Sequence, residues 1–190
     1  MRHPNPRALA AHLRRGGLIA YPTESCYGLG CDPANYRAVQ RLLRLKQRPQ
    51  HKGLILIAAR YAQVDRYLQP LATEAQLQAA GANVITYLLP THPTAPRHLR
   101  GKHQTLAVRF TAHPFAQQLC RSLPRALVST SANRSGCRSI KTYADCQRQF
   151  GTKVWVLRGQ IGKRKHPSTI CYWNSDINLR VSGLARVPAV

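Results

Sequence analysis

Lys46 and Arg48 stand one residue apart in LKQRP (45–49), where a helical pattern runs into Pro49. Residues two apart on a helix do not face each other. The residue before a proline is pushed to extended geometry, in which i and i+2 point the same way. Two cations on one side of a loop would clamp phosphates, the ammonium as a mobile point charge and the guanidinium as a bidentate fork. Lys52, four residues beyond Arg48, could extend that clamp. A solvated basic pair is the plain alternative in so cationic a chain.

Ser129, Ser131 and Asn133 also alternate, at the end of the apolar run ALV. A strand that leaves the core as STSAN lines two hydroxyls and an amide along one face. Such groups suit phosphate oxygens, a ribose or an amino acid. Gly136 then turns the chain and Ser139 offers a further hydroxyl. A cap-and-turn cluster before a helix at Thr142 is the competing explanation.

YPTES (21–25) supplies Thr23, Glu24 and Ser25 directly after a buried strand, followed by YGLG, which reads as a turn. Strand ends in α/β sheets are common ligand sites. Glu24 and Asp32 are two of only six acidic residues, and each is expected to pair with a cation rather than act as a base. Arg109 and Arg180 interrupt apolar strands, a costly placement unless a partner, a ligand anion or a solvated cavity satisfies them. Ser168 and Thr169 open another strand behind Pro167. No serine has a nucleophile-elbow context, and His92, His98 and His103 lack zinc-ligand spacing. The chemistry these segments allow is positioning and charge neutralisation around a nucleotide and a small polar co-substrate.

The elements that must hold these groups alternate along the chain. A helix over 7–15 ends at Gly16-Gly17, and LIAYP is a buried strand cut by Pro22. Asn35 is an N-cap for YRAVQRLLRLK, whose Val39, Leu42 and Leu43 keep helical spacing and which ends near Lys46. GLILIA, NVITYLL, TLAVRFT, ALVSTSA, VWVLRG, STICYW and NLRVS read as strands. Helices are expected over 62–68 and 73–80, in HPFAQQLCRSL and in TYADCQRQF, with PTHPTAPRHLRGKH as a loop. The pattern implies an α/β or α+β fold, an open mixed sheet with helices packed on it.

At 190 residues one domain over 1–190 is expected, large enough to need neither metal nor disulfides. Hydrophobic content of 44% argues against disorder despite the charge. Lys and Arg number 29 against six acids, a formal +23 spread from Arg2 to Arg186, which points to a polyanionic partner, a nucleotide or RNA. Six cysteines show no CxxC and no metal spacing, consistent with reduced thiols. No secretory signal is visible and GLILIAA is too short to span a bilayer, so a cytoplasmic protein without membrane contact is expected.

Taken in order, YPTE-x-x-YGLGCD, K-x-RP, VR-x-x-x-HP, STSAN-x-SG and PSTI resemble the YrdC/TsaC family of threonylcarbamoyl-AMP synthases, over about residues 18–182. The resemblance implies an open twisted sheet around a basic cavity. It also implies a reaction in which L-threonine, bicarbonate and ATP give threonylcarbamoyl-AMP and pyrophosphate. A transferase complex would then carry the threonylcarbamoyl group to adenosine 37 of tRNAs reading codons that begin with A. By motif, Lys46, Arg48, Lys52, Thr86, Ser131, Asn133, Ser139 and Arg180 would serve ATP, with Lys46 and Arg48 as the catalytic cations. Thr23, Ser129, Ser168 and Arg109 would serve threonine. Mg²⁺ would travel on the ATP phosphates, since no carboxylate cluster is present to hold it. One segment departs: the family's W-P-G-P-x-T is replaced by AGANVIT (80–86). A non-catalytic double-stranded-RNA or ribosome-maturation module on the same cavity is the alternative that the charge favours.

Overall fold

Short polar caps and glycines cut the chain into elements where the sequence predicts them. The computed structural model describes residues 5–70 and 84–173. Helix α1 (Pro6–Arg14) starts at Asn5, whose side chain accepts from the Arg7 N–H. Helix α2 (Tyr36–Lys46) starts at Asn35, whose Oδ1 accepts from the Ala38 N–H at 3.0 Å, and stops at Gln47 in left-handed geometry. Helices α3 (Arg97–Arg100), α4 (Pro114–Arg121) and α5 (Tyr143–Phe150) follow, the last capped by Thr142.

The strands are β1 (Ile19–Pro22), β2 (Tyr27–Cys31), β3 (Ile55–Ala58), β4 (Ile85–Pro90), β5 (Thr105–Phe110), β6 (Leu127–Ser131), β7 (Trp155–Val156) and β8 (Thr169–Tyr172). They form one mixed sheet in the order β7-β1-β2-β6-β3-β5-β4-β8. Three neighbouring pairs, β1 with β7, β3 with β5 and β4 with β8, are parallel.

Register decides which residues share a face. Ser129 lies opposite Gly30 on one side and Ile55 on the other, and Ile57 lies opposite Arg109. With a period of two, Gly28, Gly30, Ser129, Ser131, Ile55 and Arg109 therefore point to one face. The other face carries Leu29, Leu56, Val108, Val128 and Tyr87, buried under Val39 and Leu42 of α2 and Phe150 of α5. On the first face Leu9 and Leu13 of α1 and Phe115 and Leu119 of α4 cover only Ile19, Tyr21, Ile57 and Leu127. The rest of that face is left open.

Three expectations change, the first being that PTHPTAPRHLRGKH, expected as a loop, carries the single-turn helix α3. YGLG is not a turn but β2, running antiparallel to both β1 and β6. Its glycines serve a close approach: a Cβ on Gly30 would stand 2.7 Å from the Val128 carbonyl and 3.0 Å from the Tyr21 ring. Residues 62–68 form two single 3₁₀ turns, Tyr61–Gln63 and Asp65–Tyr67, instead of a helix. There the Gln63 amide is spent on the carbonyls of Cys120 and Leu123. The expected helix over 73–80 and the strand NLRVS lie outside the described residues. Among those described, no helix is long and apolar enough to cross a membrane.

Candidate active site

The open part of the first face floors a cavity of about 850 Å³. That volume suits a nucleotide-sized ligand. Of the residues singled out from sequence, Thr23, Ser25, Arg48, Arg109, Ser129, Ser131, Ser139 and Ser168 line it. Arg138, Lys141 and Lys165 complete the lining's cations, and no carboxylate is among its groups. Among the described residues, every charged side chain that an anion entering this space meets is a cation.

Lys46 does not stand beside Arg48 as an extended-loop pair. It is still helical, 3% exposed, and its ammonium donates to the carbonyl of Ser131, the carbonyl of Asn133 at 2.8 Å and Asn133 Oδ1 at 3.3 Å. Burial, with the Arg48 charge second, pushes its pKa down to about 8. The Asn133 amide is equally committed: Nδ2 donates to Arg134 and Cys137 carbonyls, and Oδ1 also accepts the Ser131 hydroxyl at 2.6 Å. Lys46 and Asn133 thus brace the turn after β6 from behind. Of the two, Arg48 reaches the cavity; it donates to the Gly53 carbonyl at 3.1 Å and its buried Nε has no partner among the described residues.

Arg109 meets Glu24 at 3.9 Å, as a costly in-strand charge requires. Burial alone would raise the Glu24 pKa; Arg109, the Thr111 hydroxyl at 2.9 Å and the His113 N–H outweigh it and hold the carboxyl below its ordinary value. Asp32 pairs with Arg125 at 3.9 Å, away from the cavity. Both acids are structural partners, as their types suggested.

Thr23 closes the 23–26 turn, its hydroxyl and N–H both donating to the Cys26 carbonyl. The segment 159–168 crosses over this turn: the Gly162 N–H donates to the Thr23 carbonyl and the Arg164 N–H to that of Glu24. Gly162 permits the approach, since a Cβ there would lie 2.7 Å from the Glu24 carbonyl. The crossing brings Lys165 and Ser168 to the wall opposite Ser131. Ser168 Oγ is 2.8 Å from Thr86 Oγ1, which is fully buried and acts behind it. Lys52 lies in an adjoining hollow shared with Arg48, Leu54, Ile55 and Ile170. Arg180 and the segment 80–83 lie outside the described residues.

Sequence reasoning missed Arg138, Lys141 and Lys165, whose loops carry no periodic signal, and Tyr21, which reads as core. The cysteines are free, with four buried and Cys137 exposed. Among the described residues no cluster of His, Cys, Asp or Glu could hold a metal ion.

Comparison with known proteins matches this arrangement. The Sua5/YciO/YrdC family model, described as "Telomere recombination", matches residues 11–181. The chain is 51% identical over 166 residues to a threonylcarbamoyl-AMP synthase from Methylobacillus flagellatus, covering 86% of this chain and 92% of that one. It is 53% identical over 170 residues to the enzyme of that name from Chromobacterium violaceum, covering 88% of each. The crystal structure of P. abyssi Sua5 complexed with L-threonine superposes with a TM-score of 0.78 at 30% identity, over 88% of this chain and 50% of that one.

Proposed function

The chain belongs to the Sua5/YciO/YrdC family, and from that premise we propose that it is an L-threonylcarbamoyladenylate synthase. The threonine amine forms an N–C bond with bicarbonate as a C–O bond breaks and water leaves, giving N-carboxythreonine, whose new carboxylate attacks the α-phosphorus of ATP. One P–O bond forms as the bond to the departing pyrophosphate breaks, leaving threonylcarbamoyl-AMP.

The observation that carries this reading is the cavity's composition among the described residues: five cations, Arg48, Arg109, Arg138, Lys141 and Lys165, with serine and threonine hydroxyls and no acid. An in-line displacement in which the substrate supplies its own nucleophile needs alignment and neutralised charge, not a protein base. Arg48, Ser131 and Ser139 face the nucleotide. Lys46 and Asn133 hold the turn that presents Ser131. Lys52 borders the phosphates from the adjoining hollow. Thr23, Arg109, Ser129 and Ser168 receive threonine, with Thr86 behind Ser168. Arg180 is assigned to ATP by its motif alone. Magnesium is assigned to the ATP phosphates as part of the substrate, the described lining being cations and hydroxyls rather than carboxylates. Among the relatives, P. abyssi Sua5 supports the threonine assignment by its bound L-threonine.

The product is a mixed anhydride that a transferase complex passes to tRNA in the cytoplasm. The excess of cations is suited to tRNA contact as well as to ATP. The test is pyrophosphate release from ATP, omitting threonine and bicarbonate in turn. Release that requires both is expected. ATP binding without release under any condition would overturn the synthase reading in favour of a binding module.

A further inference from the structure

Tyr21 sits in β1 with no exposed surface, yet its hydroxyl is not packed among apolar groups: it donates to Ser129 Oγ at 2.8 Å. The ring reaches Ser129 by lying across β2, in the space that Gly30 leaves open. Ser129 in turn lines the cavity.

The proton count at Ser129 then has one outcome. A serine hydroxyl donates one hydrogen and accepts up to two. Tyr21 occupies an acceptor site, and Ser129 donates to none of the described residues. Its hydrogen is therefore free for a ligand in the cavity. Ser131, two residues on along the same face, is the reverse case, because its hydrogen is spent on Asn133 Oδ1. The two serines of STSAN present different chemistry: Ser129 a donor, Ser131 lone pairs.

We infer that Tyr21 is a positioning residue that fixes Ser129 as a hydrogen-bond donor to an acceptor oxygen of the amino-acid substrate. The inference rests on the threonine assignment above and names the group that enforces it. Burial raises the Tyr21 pKa, so the phenol remains a donor across the working pH range.

The test is a double-mutant cycle read in L-threonine affinity by calorimetry, in bicarbonate-free buffer with ATP present. Tyr21→Phe keeps the ring that packs over Gly30 and removes only the donor. It is expected to weaken threonine about three- to tenfold, the range for one neutral hydrogen bond, and to leave ATP affinity unchanged. In the Ser129→Ala background the same change should add less than about twofold. Equal losses in both backgrounds, or parallel weakening of ATP, would overturn the inference by showing a general loosening. Thermal midpoints give a second reading. Ser129→Ala orphans the buried phenol, so adding Tyr21→Phe should restore stability; a further drop would count against the coupling. Failure of the wild type to bind threonine at all would instead sink the synthase reading itself.

Discussion

Glu24, in the turn after β1, and Arg109, near the end of β5, face each other at 3.9 Å, and that pairing orients one of the cations that line the cavity. The carboxylate is tied on its other oxygen to the Thr111 hydroxyl and the His113 N–H. Its backbone carbonyl holds Arg164 of the crossing segment. One residue therefore orients a cavity-lining guanidinium and anchors the segment that carries Ser168.

Glu24→Gln tests this through pH. The folded-state pKa of Glu24 is depressed below the unfolded value of about 4.3. Its stabilisation is thus fully present above that value and is lost as pH falls through the lower folded one. At pH 7 the variant should be less stable by about 3 kcal/mol. The gap should narrow progressively as pH falls below that unfolded value in urea titrations. A gap that stays constant with pH would show that Glu24 acts by shape rather than charge.

Arg48→Ala should cut pyrophosphate formation by about 100-fold, the scale for removing one preorganised charged donor. Among the described residues its guanidinium donates only to the Gly53 carbonyl, so the thermal midpoint should move little. Turnover near wild type, or a collapse of the midpoint, would remove Arg48 from the phosphate role.

Lys46 gives a different signature. Its folded pKa of about 8 lies below the unfolded value of about 10.4. The unfolded chain therefore holds more protons between those values, and this group's contribution to stability rises with pH across that window. In the folded protein its charge is lost around pH 8. ATP affinity in the wild type should fall between pH 7 and 9, and Lys46→Met should be weaker at pH 7 and flat. An unchanged pH slope in the variant would assign the titration to another group.

Much of this was legible in sequence because local rules agreed with the fold. Asn35 caps α2 with the bond its type predicts, and the alternation of Ser129 and Ser131 places both on the cavity face. What escaped were contacts set by tertiary register. Lys46 follows the spacing of a clamp, yet its ammonium turns to carbonyls beyond β6, because a buried cation seeks the densest set of acceptors. Arg138, Lys141 and Lys165 reach the cavity from loops whose paths no periodicity encodes. YGLG was misread because glycine signals a turn as readily as a close approach.

That misreading yields a sharp test. Gly30 and Gly28 are both on the cavity face of β2, but only Gly30 lies beneath the Tyr21 ring with a backbone oxygen as the first obstacle, at 2.7 Å. An added Cβ must displace Val128 or the ring, and overpacking of this kind costs about 1–3 kcal/mol. At Gly28 the first obstacle is the Thr23 methyl at 3.2 Å, a side-chain end that needs to give only slightly. Chemical denaturation should therefore rank Gly30→Ala as the more destabilised variant. Gly30→Ala should also weaken threonine, since moving the ring moves the hydroxyl that holds Ser129. Equal stability of the two variants would mean that the ring shifts freely and that the glycine pattern serves the sheet alone.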